Sequence, residues 1–78
     1  MVDTSVANRV MSEVRRLQDA GLSPSVHLVY TVQSGGLHVF EVIINCGVYA
    51  YSCTTDTLGW VSGLSAWVDS VVRRRGRP

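Results

Sequence analysis

The chain has 78 residues, 46% of them hydrophobic and 17% charged, with seven basic and six acidic side chains. This length allows one domain spanning residues 1–78, and the high apolar content excludes a disordered chain. No predominantly apolar stretch of about 20 residues is present, which excludes a membrane span. The start at residues 1–4 is acidic and polar and lacks the basic and apolar regions of a secretory signal. We therefore expect a cytoplasmic protein.

The first element is an amphipathic helix over residues 5–20. Asp3, Thr4 or Ser5 can cap its start. Gly21 is well placed as a left-handed helix stop, and Pro24 prevents continuation of the helix. The core stripe consists of apolar side chains at helical spacing: Val6, Val10, Val14 and Leu17.

Three strands are predicted over residues 26–33, 37–45 and 48–54, which are rich in β-branched and aromatic residues. The glycine-containing segments at 34–36 and 45–47 mark the two turns. We therefore expect an antiparallel sheet with consecutive strands as neighbours.

The register follows from which side chains must share a face. A three-residue loop at 34–36 places Val26 opposite Ile44, Leu28 opposite Val42, and Tyr30 opposite Phe40, which collects apolar side chains on one face. A two-residue loop would place Glu41 on that face and desolvate its carboxylate. For the second hairpin, a two-residue turn at Cys46-Gly47 adds larger side chains to the same face: Tyr49, Tyr51 and Cys53.

The opposite face of the sheet is neither cleanly polar nor cleanly apolar. It carries Val29, Val39 and Ile43 beside Glu41, and the three apolar residues would form an exposed patch if nothing covered them. This face is a candidate partner-binding surface.

The last element is a second helix over residues 57–74, with Asp56 as the expected cap. The segment from Leu58 to Val68 contains no charge. Two glycines inside a helix cost about 1 kcal/mol each relative to alanine, so we expect a reason for them, either close approach of another backbone or simple tolerance by burial. The expected core stripe is Leu58, Val61, Leu64, Val68, Val71 and Val72, and the expected small-residue stripe is Gly59, Gly63, Ala66 and Ser70.

Catalytic and metal-binding chemistry is not indicated by the spacing of the reactive residues. His27, His38, Cys46 and Cys53 lack the paired spacing of a zinc site. Neither histidine lies in a nucleophile motif, and the acids are spread singly along the chain. We expect a protein that is not an enzyme, holds no cofactor or metal, and keeps two free thiols in a reducing cytoplasm.

Residues 73–78 form a basic C-terminal tail that contains Arg73, Arg74, Arg75 and Arg77. The arginines could contact nucleic acid or an acidic partner. They could equally offset the helix macrodipole and keep the end soluble. Trp67 flanks the core stripe of the second helix and is a candidate interface anchor.

The complete plan is an α+β domain in the order α-β-β-β-α, with both helices on one face of a three-stranded antiparallel sheet. It resembles the double-stranded-RNA-binding domain over residues 5–72, where the exit at 21–24, the loop at 35–38 and the final helix take comparable places. That family grips phosphates with a basic run at the start of its second helix, whereas this chain has Thr55-Asp56-Thr57-Leu58 there. The resemblance implies a nucleic-acid-binding module that would use His38 and the arginine tail.

The plan is also similar to small phage anti-CRISPR proteins, which flank a three-stranded sheet with helices. The resemblance implies a small bacterial or phage inhibitor that blocks a protein or nucleoprotein machine of the host by direct binding. Because the chain is not strongly acidic, DNA mimicry is not indicated. The expected binding surfaces are the mixed sheet face, the small-residue side of the second helix and the arginine tail.

A homodimer is the other expected use of these surfaces, because 78 residues bury little apolar area by themselves. Either the small-residue stripe or the mixed sheet face could meet its own copy around a twofold axis. If the stripe points outward, Gly63→Arg would break the dimer while the monomer stays folded.

Overall fold

A computed structural model describes residues 4–75. The elements in chain order are α1 (Thr4–Asp19), β1 (Ser25–Val32), β2 (His38–Cys46), β3 (Tyr49–Thr54) and α2 (Trp60–Arg75). The strands form one antiparallel sheet in the order β1-β2-β3. The α-β-β-β-α fold is thus confirmed. Neither helix in residues 4–75 has the length and apolarity needed to cross a membrane.

A single core lies between the two helices and one face of the sheet. Both helices contribute buried side chains to it, and all the sheet residues that join them lie on the same side of the strands. The prediction that both helices pack on one face is therefore correct. The buried members of the core are Val10, Val14, Leu17, Val42, Ile44, Leu64, Val68 and Val71.

The two helices run parallel to each other. Ser5 at the start of α1 and Trp60 at the start of α2 line the same cleft. At the other end, the guanidinium of Arg75 lies 3.9 Å from the position that a Cβ on Gly21 would occupy. Arg16 of α1 also donates to the carboxylate of Asp69 on α2. Both helix N-termini therefore lie at one end of the domain, and both C-termini lie at the other.

The end of α1 follows the sequence prediction. Gly21 has φ +86°, its N–H donates to the carbonyl of Gln18 at 2.9 Å, and the N–H of Leu22 donates to the carbonyl of Leu17 at 3.1 Å. These two bonds are the pair that defines a Schellman stop. The stop turns the chain so that Leu22 packs back on the core.

The first hairpin has the predicted register. Val26 pairs with Ile44, Leu28 with Val42, and Tyr30 with Phe40. The N–H of Gln33 donates to the carbonyl of Leu37 at 2.8 Å, which closes the loop at 34–36. Gly35 and Gly36 both have positive φ in this loop, a conformation that other residues adopt only with strain.

The second hairpin turns one residue later than predicted. Cys46 pairs with Tyr49, so the turn is Gly47-Val48 and the predicted Cys46-Gly47 turn is wrong. Gly47 has φ +67°, and no non-glycine residue among those described has a positive φ. A two-residue hairpin turn with a positive φ at only one of its central residues needs glycine at the first of them. Gly47-Val48 has glycine at the first position, whereas Cys46-Gly47 has it at the second. The shift of two positions in pairing preserves the face, so the tyrosines and Cys53 do join the core as expected.

The start of α2 also differs from the prediction. The helix begins at Trp60 and not at residue 57, because Thr55 still pairs with the sheet. Its N–H donates to the carbonyl of Phe40 at 3.0 Å, and its hydroxyl accepts from the N–H of Phe40 at 3.1 Å. These bonds hold the chain at the end of the sheet for one more residue, and the turn at 55–59 follows.

Three residues at this junction therefore have roles other than those predicted. Gly59 precedes the helix with φ +78°, and its carbonyl accepts the N–H of Gly63 at 2.9 Å, so Gly59 and not Asp56 occupies the capping position. Leu58 is fully exposed and does not belong to the core stripe. Gly59 likewise drops out of the small-residue stripe, because it is not part of the helix.

Candidate interaction surfaces

The face of the sheet opposite the helices is open to a partner. Val29 on β1 is 42% exposed, Ile43 on β2 is half-buried, and Glu41, directly opposite Val29, is exposed. Ser52 of β3 lies opposite Ile43 and is also exposed. We call this surface, made by the odd-numbered residues of β1 and β2 and the even-numbered residues of β3, the outer sheet face.

Val39 belongs to the outer sheet face but is only 1% exposed. The expectation that it joins an exposed patch is therefore wrong. Val39 lies on the central strand, where Thr31 is opposite it on β1 and the chain at Thr55 continues the pairing on the β3 side. Thr31 and Thr55 thus flank Val39 on its two sides, whereas Val29 on an edge strand has a neighbour on one side only.

The small-residue side of α2 is largely exposed, with Gly63 and Ala66 exposed and Ser70 half-buried, but the Tyr51 side chain borders it. A Cβ on Gly63 would lie 3.0 Å from the hydroxyl oxygen of Tyr51, so the bare side of Gly63 is directed at the end of this side chain. Trp67, one turn further on, stacks on the ring of Tyr51 with centroids 5.2 Å apart. Gly63 therefore makes room for a tyrosine. The position is exposed as expected, but a side chain on it would crowd the Tyr51 hydroxyl before it reached solvent.

The basic end of α2 lies beside the end of α1. Arg73, Arg74 and Arg75 are exposed, and Arg75 reaches Gly21; Arg77 lies outside the described residues. The carbonyl ends of two parallel helices meet here, and each carries partial negative charge. The position of the arginines matches the role of offsetting that charge, while their exposure leaves them accessible to a polyanion.

A cleft of about 380 Å³ lies at the opposite end, where both helices begin. Inside it Tyr30 stacks on His38 with centroids 5.6 Å apart and contacts Phe40 at 5.2 Å, and the Tyr30 hydroxyl is hydrogen bonded to Nδ1 of His38. Sequence reasoning missed this cleft because four separate elements, α1, β1, β2 and α2, and the turn after β3 supply its walls. The lining residues are Ser5, Val6, Tyr30, His38, Phe40, Thr55 and Trp60.

The reactive side chains do not converge on one another. Within residues 4–75, no three His, Cys, Asp or Glu side chains lie close enough together to hold a metal ion. Cys46 is buried, Cys53 is half-buried, and both are free thiols. Burial raises the pKa of each thiol above its ordinary value of 9.0, and a hydrogen bond with Tyr51 opposes part of the rise at Cys53. Burial also raises the pKa of the Tyr51 hydroxyl above 10.0.

These pKa directions predict that the domain loses stability in alkali. An acid with a raised folded pKa contributes stability that is complete below its unfolded pKa and disappears as the pH rises through the folded value. We expect the urea midpoint to stay constant from about pH 7 to about pH 8 and to fall above the ordinary thiol pKa. Urea unfolding across a pH series measures this. The double variant Cys46→Ala, Cys53→Ala should show a shallower decline, and an equally steep decline would contradict the assignment.

Comparison of the chain with known protein families, with curated proteins and with solved structures found no match. The fold places the chain in the class of small α+β domains with one open sheet face.

Proposed function

We propose that this chain is a small non-enzymatic binding protein that acts by covering a surface of a protein or nucleoprotein machine. The observation that carries the proposal is the outer sheet face. Both helices pack against the other side of the sheet and leave the outer face uncovered. That face presents Val29 on edge strand β1 and Ile43 on the central strand, beside the exposed polar side chains of Glu41 and Ser52. Protein-binding surfaces commonly combine apolar and polar side chains.

The concrete form that we propose is a bacterial or phage inhibitor of host machinery, of the anti-CRISPR kind, which acts in the cytoplasm. Such an inhibitor needs a folded surface that competes for a functional site on its target, and it needs no chemistry of its own. A compact domain with one open sheet face meets that requirement.

The test compares two serine-to-arginine variants. Ser52→Arg places a large charged side chain on the outer sheet face, while Ser62→Arg places the same side chain on an exposed position of α2. Tagged wild-type protein and both variants are used to capture partners from the native host, and the captured proteins are compared by quantitative mass spectrometry. We expect a partner that Ser52→Arg loses at least tenfold and Ser62→Arg retains.

The purified partner then allows a direct measurement of inhibition. Wild-type protein and Ser62→Arg should inhibit the activity of the machine, and Ser52→Arg should not. Equal capture by both arginine variants, with circular dichroism showing that both are folded, would contradict a role for the outer sheet face.

Nucleic-acid binding is the second candidate, and the exposure of Arg73, Arg74 and Arg75 is the observation that favours it. Binding through phosphate contacts weakens steeply as salt rises, whereas apolar docking changes little. Titration of labelled double-stranded RNA with wild-type protein and with Arg73→Gln, Arg74→Gln separates the two. Affinity that falls steeply with salt and drops further in the double variant would support this candidate.

A further inference from the structure

The outer edge of β1 is an unprotected strand edge. β1 is an eight-residue strand with an unbroken antiparallel register to β2, and it contains no Lys, Arg, Asp, Glu or Pro. Its apolar side chains are partly open to solvent, with Val29 42%, Tyr30 45% and Val32 57% exposed. Soluble proteins normally protect such an edge with charge, proline or a bulge, and β1 has none of these.

The alternation of backbone groups shows which residues offer their hydrogen bonds outward. Gln33 donates to Leu37 across the hairpin, so this pair is hydrogen bonded and every second pair along the strands is as well. The odd-numbered residues of β1 therefore bond to β2. The N–H and C=O groups of Val26, Leu28, Tyr30 and Val32 point away from β2, and nothing in residues 4–75 pairs with that edge.

We propose that two copies of this chain pair antiparallel through β1, with the twofold axis at Val29. In this register Leu28 faces Tyr30 of the second copy, and Val26 faces Val32 of the second copy. Those are the residues whose backbone groups point outward, so each such pair can exchange two hydrogen bonds. The result is one continuous six-stranded sheet.

The register is favoured because it keeps the two sides of the sheet consistent. Residues opposite each other in an antiparallel pair lie on the same face, and an axis through a residue pairs even-numbered positions with even-numbered ones. Val32 and Tyr30, exposed in one copy, then pack on the core-side residues Val26 and Leu28 of the other. On the outer sheet face, Val29 meets Val29 of the second copy as a close, non-hydrogen-bonded pair.

A second copy fits this edge better than it fits β3, the other edge of the sheet. β3 has six residues, and its outer-face side chains are Ala50, Ser52 and Thr54, none of them a large apolar residue. The exposed apolar side chains of β1 need a partner strand that also has large apolar side chains, such as Val and Tyr, at alternate positions. A second copy of β1 is such a strand. Pairing also supplies burial that a 78-residue domain lacks by itself, and it leaves the outer sheet face open and doubled in area.

The test is a charge exchange at the twofold axis. Val29→Glu would place two carboxylates opposite each other, next to Glu41 of each copy, and should convert the dimer to a monomer. Val29→Lys in an equimolar mixture with Val29→Glu should restore a mixed dimer, because opposite charges then meet at the axis. Val48→Glu, the same substitution in the exposed second turn, is the matched control and should remain dimeric.

Sedimentation equilibrium over a concentration series measures the state of each protein. A second, uncharged variant is Val32→Pro, which removes one outward N–H at the end of an edge strand, where proline is tolerated, and should weaken dimerisation at least tenfold. A monomeric wild type at all concentrations overturns the proposal, as does a dimer that Val29→Glu and Val32→Pro leave intact. Because the purified protein is measured alone, this outcome is independent of whether the proposed host partner exists.

Discussion

Replacement of Leu64 by alanine is expected to destabilise the domain by about 2–5 kcal/mol. Leu64 is 0% exposed and packs in the single core between the helices and the sheet. The loss combines the transfer free energy of the deleted methyl and methylene groups with the cavity that they leave. Small domains have a total free energy of unfolding at the low end of about 5–15 kcal/mol at 25 °C, so the variant should lose a large part of its stability at that temperature.

Leu58→Ala is the matched control for this prediction. The amino-acid pattern places Leu58 and Leu64 in one core stripe, but the structure leaves Leu58 fully exposed in the turn before α2. Surface substitutions of this kind change the free energy of unfolding by less than about 0.5 kcal/mol. Urea unfolding of both variants measures the difference, and a similar loss for the two would contradict the position of the start of α2.

Gly63→Arg is expected to destabilise the fold by about 1 kcal/mol, because crowding against the Tyr51 hydroxyl, which costs about 1–3 kcal/mol in a packed site, exceeds the gain of about 1 kcal/mol in helix propensity over glycine. The Cβ of any residue at this position would lie 3.0 Å from the Tyr51 hydroxyl oxygen. Tyr51 cannot yield freely, because its ring stacks on Trp67. The effect should therefore appear as a lower midpoint of urea unfolding, and it should appear whether or not the protein forms a dimer.

A double-mutant cycle isolates the contact between Gly63 and Tyr51. Gly63→Ala should gain about 1 kcal/mol from helix propensity, but in the wild-type background the close tyrosine oxygen offsets that gain. Tyr51→Phe removes the oxygen, so Gly63→Ala should stabilise the domain in that background. Equal effects of Gly63→Ala in both backgrounds, within about 0.3–0.5 kcal/mol, would show that the two residues do not interact.

The local patterns of this chain were sufficient for the order of its elements and for one register. Gly21 stops α1 because the left-handed conformation is open to glycine, and the structure has the two bonds of that stop. The first hairpin was predictable because only one loop length keeps Glu41 off the apolar face, and the pairing of Val26 with Ile44 agrees. These features depend on neighbours in sequence or on a two-residue period, both of which can be read from the chain.

The open surfaces were less predictable, because exposure depends on residues distant in sequence. Val39 and Val29 lie on the same face of the sheet by the alternation of their strands. Val39 is on the central strand and is buried, whereas Val29 is on an edge strand and is exposed. The aromatic cleft at Tyr30 and His38 draws its walls from four elements and from the turn after β3. No periodicity within one segment could place those side chains together.

The sequence by itself determined the α-β-β-β-α order, the end of α1, the register of the first hairpin and the shared face of the tyrosines. Glycine conformation, apolar periodicity and the cost of burying a carboxylate act locally and decide these features. Only the tertiary structure decided where α2 begins and what Gly63 is for. Thr55 stays bonded to Phe40 across the sheet and delays the helix, and Gly63 faces a tyrosine that is twelve residues away in the chain. Both outcomes depend on contacts between separate elements, which exist only once the helices have packed on the sheet.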